Sequence, residues 1–365
     1  MKTTVSFFCI ITFHLLAIIH VCAQDSNPAE PDNKRIEVLE TERHKLTKRL
    51  AEIDTELVKL KALGNKATDL VRINNYLGIS SDFITIAKSH SDGFMLLDVE
   101  TGKELPTPKW DRDWGRPRSV SFGTDTIAIT TGNNPSDNSV KLFSRKTLEL
   151  ELNVRGQINS AQLTSAGRFL AITEFRPSNG YYLVLRDVKA KKLIAEIRLG
   201  GNGYCTLAVG GKHVAAYESH DGQITVVETE IGKIVKKLKS PSFEKARDFG
   251  GGKMPLAISL AGTHIACAAE DAVVIYDIEA GKVAQKLDGH LDVVMAVAFS
   301  PKGDLLATSG KDKTIRIWNI TDGKAIHVVK SLPAVVSELI FSPDSRRIVI
   351  IYIGGKVEIR TLDSN

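Results

Sequence analysis

The sequence predicts an all-β body of seven four-stranded antiparallel sheets, preceded by one long α-helix. Three observations carry this prediction. A turn marker recurs at intervals of 41 to 49 residues from Gly102 to Gly323. Between successive markers lie short apolar segments of strand length, bounded by turn residues. Ahead of them, residues 36 to 60 place apolar side chains at alternating steps of three and four, the spacing of a helix seam.

The chain begins with the layout of a secretory signal. Lys2 precedes an apolar run from Val5 to Ile19, and small residues before Gln24 offer a cleavage site. Cleavage is expected after Ala23, so residues 1–23 form a signal peptide and the mature protein is secreted or periplasmic. The run is short for a permanent span, so no membrane span is expected after signal removal; a retained anchor is the alternative. Residues 24–35, polar and proline-containing, read as a solvated linker.

Residues 36–64 read as a coiled-coil helix. Ile36, Leu39, Arg43, Leu46, Leu50, Ile53, Leu57 and Leu60 fall on one seam, and Gly64 ends it. Arg49 with Asp54, and Glu56 with Lys61, occupy flanking positions that pair across a parallel dimer. A homodimer through residues 36–64 is the expected assembly. The other reading is a lone amphipathic helix lying on the folded body, because the seam is short for an independent coiled coil.

The body is expected over residues 67–365. Its clearest stretch is residues 300 to 319, "SPKGDLLATSGKDKTIRIWN", in which a turn, an alternating strand, a second turn and a second strand make a hairpin. "VVMAVAF" before it and "KAIHVV" after it complete four strands in about 40 residues, opened by Gly289-His290. This unit resembles a WD-repeat blade. The resemblance implies a β-propeller, and it implies that His290, Ser309, Asp312 and Trp318 form a buried, structural hydrogen-bonded tetrad rather than a catalytic set. Asn319 replaces the usual Asp of the "WD" pair.

The markers at Gly102, Thr147, Lys191, Gly232, Gly281 and Gly323, with the final strand "KVEIRTL", count seven units. The last lacks an outer strand, and a segment near Ala67 to Ile73 is expected to supply it and close the ring. Six or eight blades stay open, since residues 67 to 81 divide ambiguously. "FITIAKS", "TIAIT", "FLAIT", "HVAAY", "HIACAA" and "RIVIIY" recur as second strands, apolar on both faces as a strand packed on two sides must be. No other unit repeats the Gly-His, Ser, Asp and Trp combination, so apolar packing holds most blades together.

In the resembled fold, loops between blades and loops joining second to third strands share one face. The long loops fall in those classes: residues 106 to 118, 131 to 138, 174 to 180 and 240 to 255. That face is the expected binding surface. Within it Trp110, Arg112, Trp114, Arg116 and Arg118 form the densest aromatic and arginine cluster, the residue types that dominate interface hot spots. They are the candidate partner-binding residues; the competing reading has both tryptophans plugging a junction between blades.

Other classes find little support. The formal net charge of +5 is no nucleic-acid footprint, and Asp111 and Asp113 oppose the arginines, so no nucleic acid is expected. Gly252-Lys253 lacks the Ser or Thr of a phosphate loop, and the nine histidines are scattered, so neither a cofactor nor a metal is expected. No catalytic residue stands out. Of four cysteines, Cys9 and Cys22 leave with the signal, while Cys205 and Cys267 lie in apolar strands as buried hydrophobes or, alternatively, as one bridge between adjacent units. The leading expectation is an exported, non-enzymatic scaffold for an unidentified protein partner. The alternative is a propeller enzyme or small-ligand binder acting at a central channel, where the innermost strands offer mainly Glu338.

Overall fold

The computed structural model describes residues 76–91, 93–132, 138–164, 166–201, 205–241 and 254–362. The signal, linker, coiled-coil helix and closing segment near Ala67 to Ile73 lie outside the described residues, as do most of residues 131 to 138 and 240 to 255. Among the described residues no helix is long and apolar enough to cross a membrane.

The body is all-β, with seven antiparallel meanders, six of four strands and a seventh of three among the described residues. Blade 1 comprises Tyr76–Ile79, Thr85–His90, Gly93–Asp98 and Glu104–Leu105; blade 2, Pro117–Phe122, Thr126–Thr131, Asn138–Ser144 and Leu150–Gly156. Blade 3 comprises Ile158–Leu163, Phe169–Arg176, Gly180–Asp187 and Lys192–Gly200; blade 4, Cys205–Gly210, His213–Glu218, Gln223–Glu228 and Ile234–Lys239. Blade 5 comprises Leu256–Ile258, His264–Ala269, Ala272–Asp277 and Lys282–Leu287; blade 6, Val294–Phe299, Leu305–Gly310, Ile315–Asn319 and Ala325–Val329. Blade 7 comprises Val336–Phe341, Arg347–Tyr352 and Val357–Thr361.

Side chains alternate across each strand, so every blade is apolar on both faces. In blade 3, Leu170, Ile172 and Val184 join Ala128, Val140 and Leu142 of blade 2 in one core. Their alternates Ala171, Leu183 and Leu185 join Leu207, Val214 and Ala216 of blade 4 in the next. The pattern continues around the ring to the last junction, where Val349, Ile351 and Val357 of blade 7 pack with Phe83, Ile86, Leu97 and Val99 of blade 1. Arg347 lies over the Phe83 ring at 5.8 Å across the same junction. The ring therefore closes through apolar contact between its first and last blades.

Two turn devices repeat. Where the first strand meets the second, a hydroxyl accepts the backbone N–H five residues on: Ser80 from Thr85 at 2.9 Å, Thr164 from Phe169 at 3.2 Å, Ser259 from His264 at 3.0 Å, Ser300 from Leu305 at 3.0 Å and Ser342 from Arg347 at 2.8 Å. Blade 4 has Gly210 there instead, and a Cβ on it would sit 2.8 Å from Ile258 Cβ. The marker turns between third and fourth strands end in a left-handed residue, with φ of 66° at Gly102, 67° at Gly232 and Gly281, and 71° at Gly323. In blade 2 that conformation falls on Leu148 (φ 61°), one residue after Thr147, and in blade 3 on Lys191 (φ 53°).

Candidate functional site

In blade 6 a hydrogen-bonded chain runs from Asp312 through His290 and Thr308 to Trp318. Trp318 Nε1–H donates to Thr308 Oγ1 at 2.8 Å, and His290 Nε2 lies 2.8 Å from the same oxygen. A hydroxyl that accepts from the indole has its own proton free for the imidazole, so Thr308 donates to Nε2 and the ring proton sits on Nδ1. Nδ1–H then donates to Asp312 Oδ2 at 2.9 Å. Asp312 also accepts the Leu291 N–H at 2.9 Å and the Thr314 hydroxyl at 2.8 Å. The chain ties the loop entering blade 6 to the turn between its second and third strands. Gly289 permits the approach, because a Cβ there would lie 3.1 Å from the indole.

This corrects one expected member of the tetrad. Ser309 projects from the opposite face of its strand and donates to Val336 O of blade 7 at 3.2 Å, while Thr308 faces the indole and the imidazole. Burial pushes the His290 pKa down, against the pull of Asp312. Burial also opposes charge on Asp312, yet hydrogen bonds from Leu291, Thr314 and His290 outweigh it and hold that carboxyl below its ordinary range.

The tryptophan and arginine cluster sits over the junction of blades 1 and 2. Asp111 caps a short 3-10 turn, Arg112–Trp114, by accepting the Asp113 N–H at 3.0 Å. Trp110 packs edge-on against Phe94 at 5.4 Å and Trp114 at 5.5 Å, and donates from Nε1 to Gly115 O at 3.1 Å. Both indoles, half-buried, lean on the core that joins Phe94 and Leu96 to Val120, Ile129 and Phe143. The buried Lys141 ammonium lies 5.0 Å from the Trp114 ring centroid and reaches Ser139 Oγ at 3.0 Å. Arg112, Arg116 and Arg118 are exposed. The five residues thus divide into two rings that help fill a blade junction and three guanidinium groups on the surface above it.

Further around this face, the hairpin of blade 3 reaches out with Arg176. Its guanidinium holds Glu196 at 2.8 Å and Glu174 at 3.2 Å, which raises its pKa, and it stacks on Tyr182 at 4.4 Å. The opposite face is built from the hydroxyl-closed and left-handed turns.

The innermost strands of all seven blades line a central cavity of about 600 Å³. Its walls combine apolar groups such as Val120, Ile258 and Phe341 with Ser119, Ser160 and Gln162, and Glu338 stands there as the sequence expected. Burial, and then the Glu338 charge, push the nearby Tyr76 hydroxyl well above its ordinary pKa. Cys205 and Cys267 are free, buried thiols in separate inter-blade cores, each pushed up to about 12 by burial. The alternative of a disulfide between them is thereby removed.

Comparison with known proteins bears on the blade that carries the polar chain. The family model described as WD domain, G-beta repeat matches residues 281–319. An uncharacterized WD repeat-containing protein of Synechocystis is 30% identical over 177 residues, 47% of this chain and 48% of that protein. Small ribosomal subunit protein RACK1y of rice is 28% identical over 142 residues, 39% and 34% respectively. A WD repeat-containing protein of Schistosoma mansoni is 46% identical over 54 residues, 15% and 18%. The chain spans about half or less of the length of these relatives. The closed ring of seven blades and the matched repeat together support a WD-repeat β-propeller.

Proposed function

We propose that this propeller is an exported, non-enzymatic protein-interaction scaffold whose partner docks on the face bearing the inter-blade loops. The observation that carries the reading is the unequal elaboration of the two faces. One holds the loop containing residues 106–116 and the projecting blade 3 hairpin; the other holds short turns closed by repeated hydrogen bonds. Recognition is commonly placed on loops held by a rigid scaffold. Arg112, Arg116 and Arg118 offer exposed guanidinium groups beside half-buried aromatic rings, a composition suited to a hot spot. WD-repeat propellers typically serve as such scaffolds, and the matched repeat supports the same reading here.

In this proposal residues 1–23 direct export and are removed, and the helix over residues 36–64 joins two protomers. Two faces on one dimer raise avidity without new contacts. The test captures partners from the exported fraction with the wild-type chain and with Arg112→Glu, Arg116→Glu and Arg118→Glu combined, a change that leaves the apolar junction intact. Loss of partners is expected from the triple variant, whereas an unchanged partner list removes this site. Solution mass with and without residues 24–65 tests the helix: a dimer that becomes a monomer is expected, and a monomer in both cases rejects the joining role.

A further inference from the structure

Two neighbouring blades carry a glutamate at the same place on the second strand and surround it differently. Glu174 and Glu218 each lie five residues after the start of their second strands, Phe169–Arg176 and His213–Glu218. Each is backed by the glycine ending the preceding outer strand: a Cβ on Gly156 would lie 3.1 Å from Glu174 Oε1, and one on Gly200 3.0 Å from Glu218 Oε2. In blade 3 the next residue but one is Arg176, whose guanidinium is held between the carboxylates of Glu174 and Glu196. That pocket contains a permanent cation.

In blade 4 the residue two after the glutamate is His220, on the turn that follows the strand, and the second carboxylate is the adjacent Asp221, with Oδ1 2.9 Å from His220 Nδ1. No lysine or arginine ion-pairs with Glu218 or Asp221 among the described residues. Glu218 is 1% exposed. Its two oxygens accept the backbone N–H groups of His220 at 2.8 Å and Asp221 at 3.0 Å, which fixes the carboxylate and leaves each oxygen a further lone pair. The ligand atoms of Glu218, His220 and Asp221 all lie within 4.8 Å of one another. Gly200, and Gly201 whose Cβ would stand 3.7 Å from the imidazole, keep side-chain atoms away from the space beside them.

We propose that Glu218, His220 and Asp221 bind a divalent transition-metal ion of the kind that takes mixed imidazole and carboxylate ligands, with Zn²⁺ as the first choice. In blade 3 the carboxylate at the matching strand position is met by a guanidinium, that of Arg176, whose second partner Glu196 lies on the outer strand. Where blade 3 carries a cation that cannot be released, blade 4 carries an imidazole, a side chain able to ligate a metal beside two carboxylates. Glu-x-His-Asp on one tight turn matches no familiar metal spacing, so the sequence alone does not single it out.

The test titrates the full chain, stripped by a chelator, with Zn²⁺ alone by calorimetry, beside His220→Ala and His220→Arg. His220 is exposed, so neither change disturbs the core. One ion is expected on the wild type at this site, with affinity falling by about tenfold or more in His220→Ala. His220→Arg places a fixed positive charge beside Glu218 and Asp221 and is expected to bind no ion there. A wild type that takes up no Zn²⁺, or a His220→Ala variant that binds it with undiminished strength, overturns the proposal.

Discussion

Thr308 Oγ1 lies 2.8 Å from Trp318 Nε1 and 2.8 Å from His290 Nε2, while the adjacent Ser309 turns its hydroxyl to blade 7. Thr308→Val therefore leaves two buried polar groups without a partner and is expected to cost about 2–4 kcal/mol of stability. Ser309→Ala removes a single bond to Val336 O and is expected to cost about 1 kcal/mol. Denaturant unfolding of both variants checks the order; a larger loss from Ser309→Ala would falsify the placement of Thr308 at the centre of the chain.

The same chain gives stability a pH dependence. His290 has a folded pKa below its unfolded value near 6.5, so the unfolded state takes up a proton first as pH falls. The contribution of the neutral ring is present in full above about pH 6.5 and declines toward the depressed folded value. Asp312 adds a second decline at lower pH, below the ordinary carboxylate pKa near 3.9. Melting temperatures between pH 7.5 and 5 are expected to fall less in His290→Gln, which has no such proton to gain, than in the wild type. Parallel curves would assign the effect to other groups.

Lys191 occupies a left-handed turn position with φ of 53°, where blades 1, 4, 5 and 6 have glycine. Its side chain is exposed, so Lys191→Gly loses little packing while relieving a conformation that costs an ordinary L-residue about 1–2 kcal/mol. Glycine's larger unfolded-state entropy offsets part of this. A net gain of about 0.5 kcal/mol is expected in thermal unfolding, and a clear loss would show that the lysine contributes something beyond the turn.

The Cys205 and Cys267 thiols are buried, with pKa values pushed up to about 12, so neither is a nucleophile at neutral pH. A chromogenic disulfide reagent is expected to find no reactive thiol in the native processed chain and two after unfolding. Four after unfolding would mean that Cys9 and Cys22 are retained and that the proposed cleavage after Ala23 does not occur.

Much of the fold was legible because it depends on local pattern. A second strand such as "FLAIT" is apolar on both faces only if both are covered, and Gly102, Gly232, Gly281 and Gly323 mark turns that require positive φ. The site was less legible because it depends on direction. Thr308 and Ser309 both carry hydroxyls one residue apart, and only the side each takes on the strand distinguishes them. Trp110 and Trp114 belong by residue type to interfaces, yet Phe94 and Phe143, far along the chain in either direction, supply the rings they lean on. Glu174 and Glu218 become equivalent only when blades 3 and 4 are superposed by strand position, which the sequence's turn marker at Lys191 locates but does not by itself align.

Because the oily surface of each wedge is divided between two neighbours, no wedge has a finished side on which the ring could stop. Removing one whole unit would confront two flanks shaped for other companions, so the number of wedges is set by mutual fit. A single wedge can still change its polar furniture freely, provided that the volumes on its two flanks are kept. That freedom lets one unit hold the hydrogen-bonded chain of His290, Thr308 and Trp318 while the cores it shares with its neighbours stay apolar.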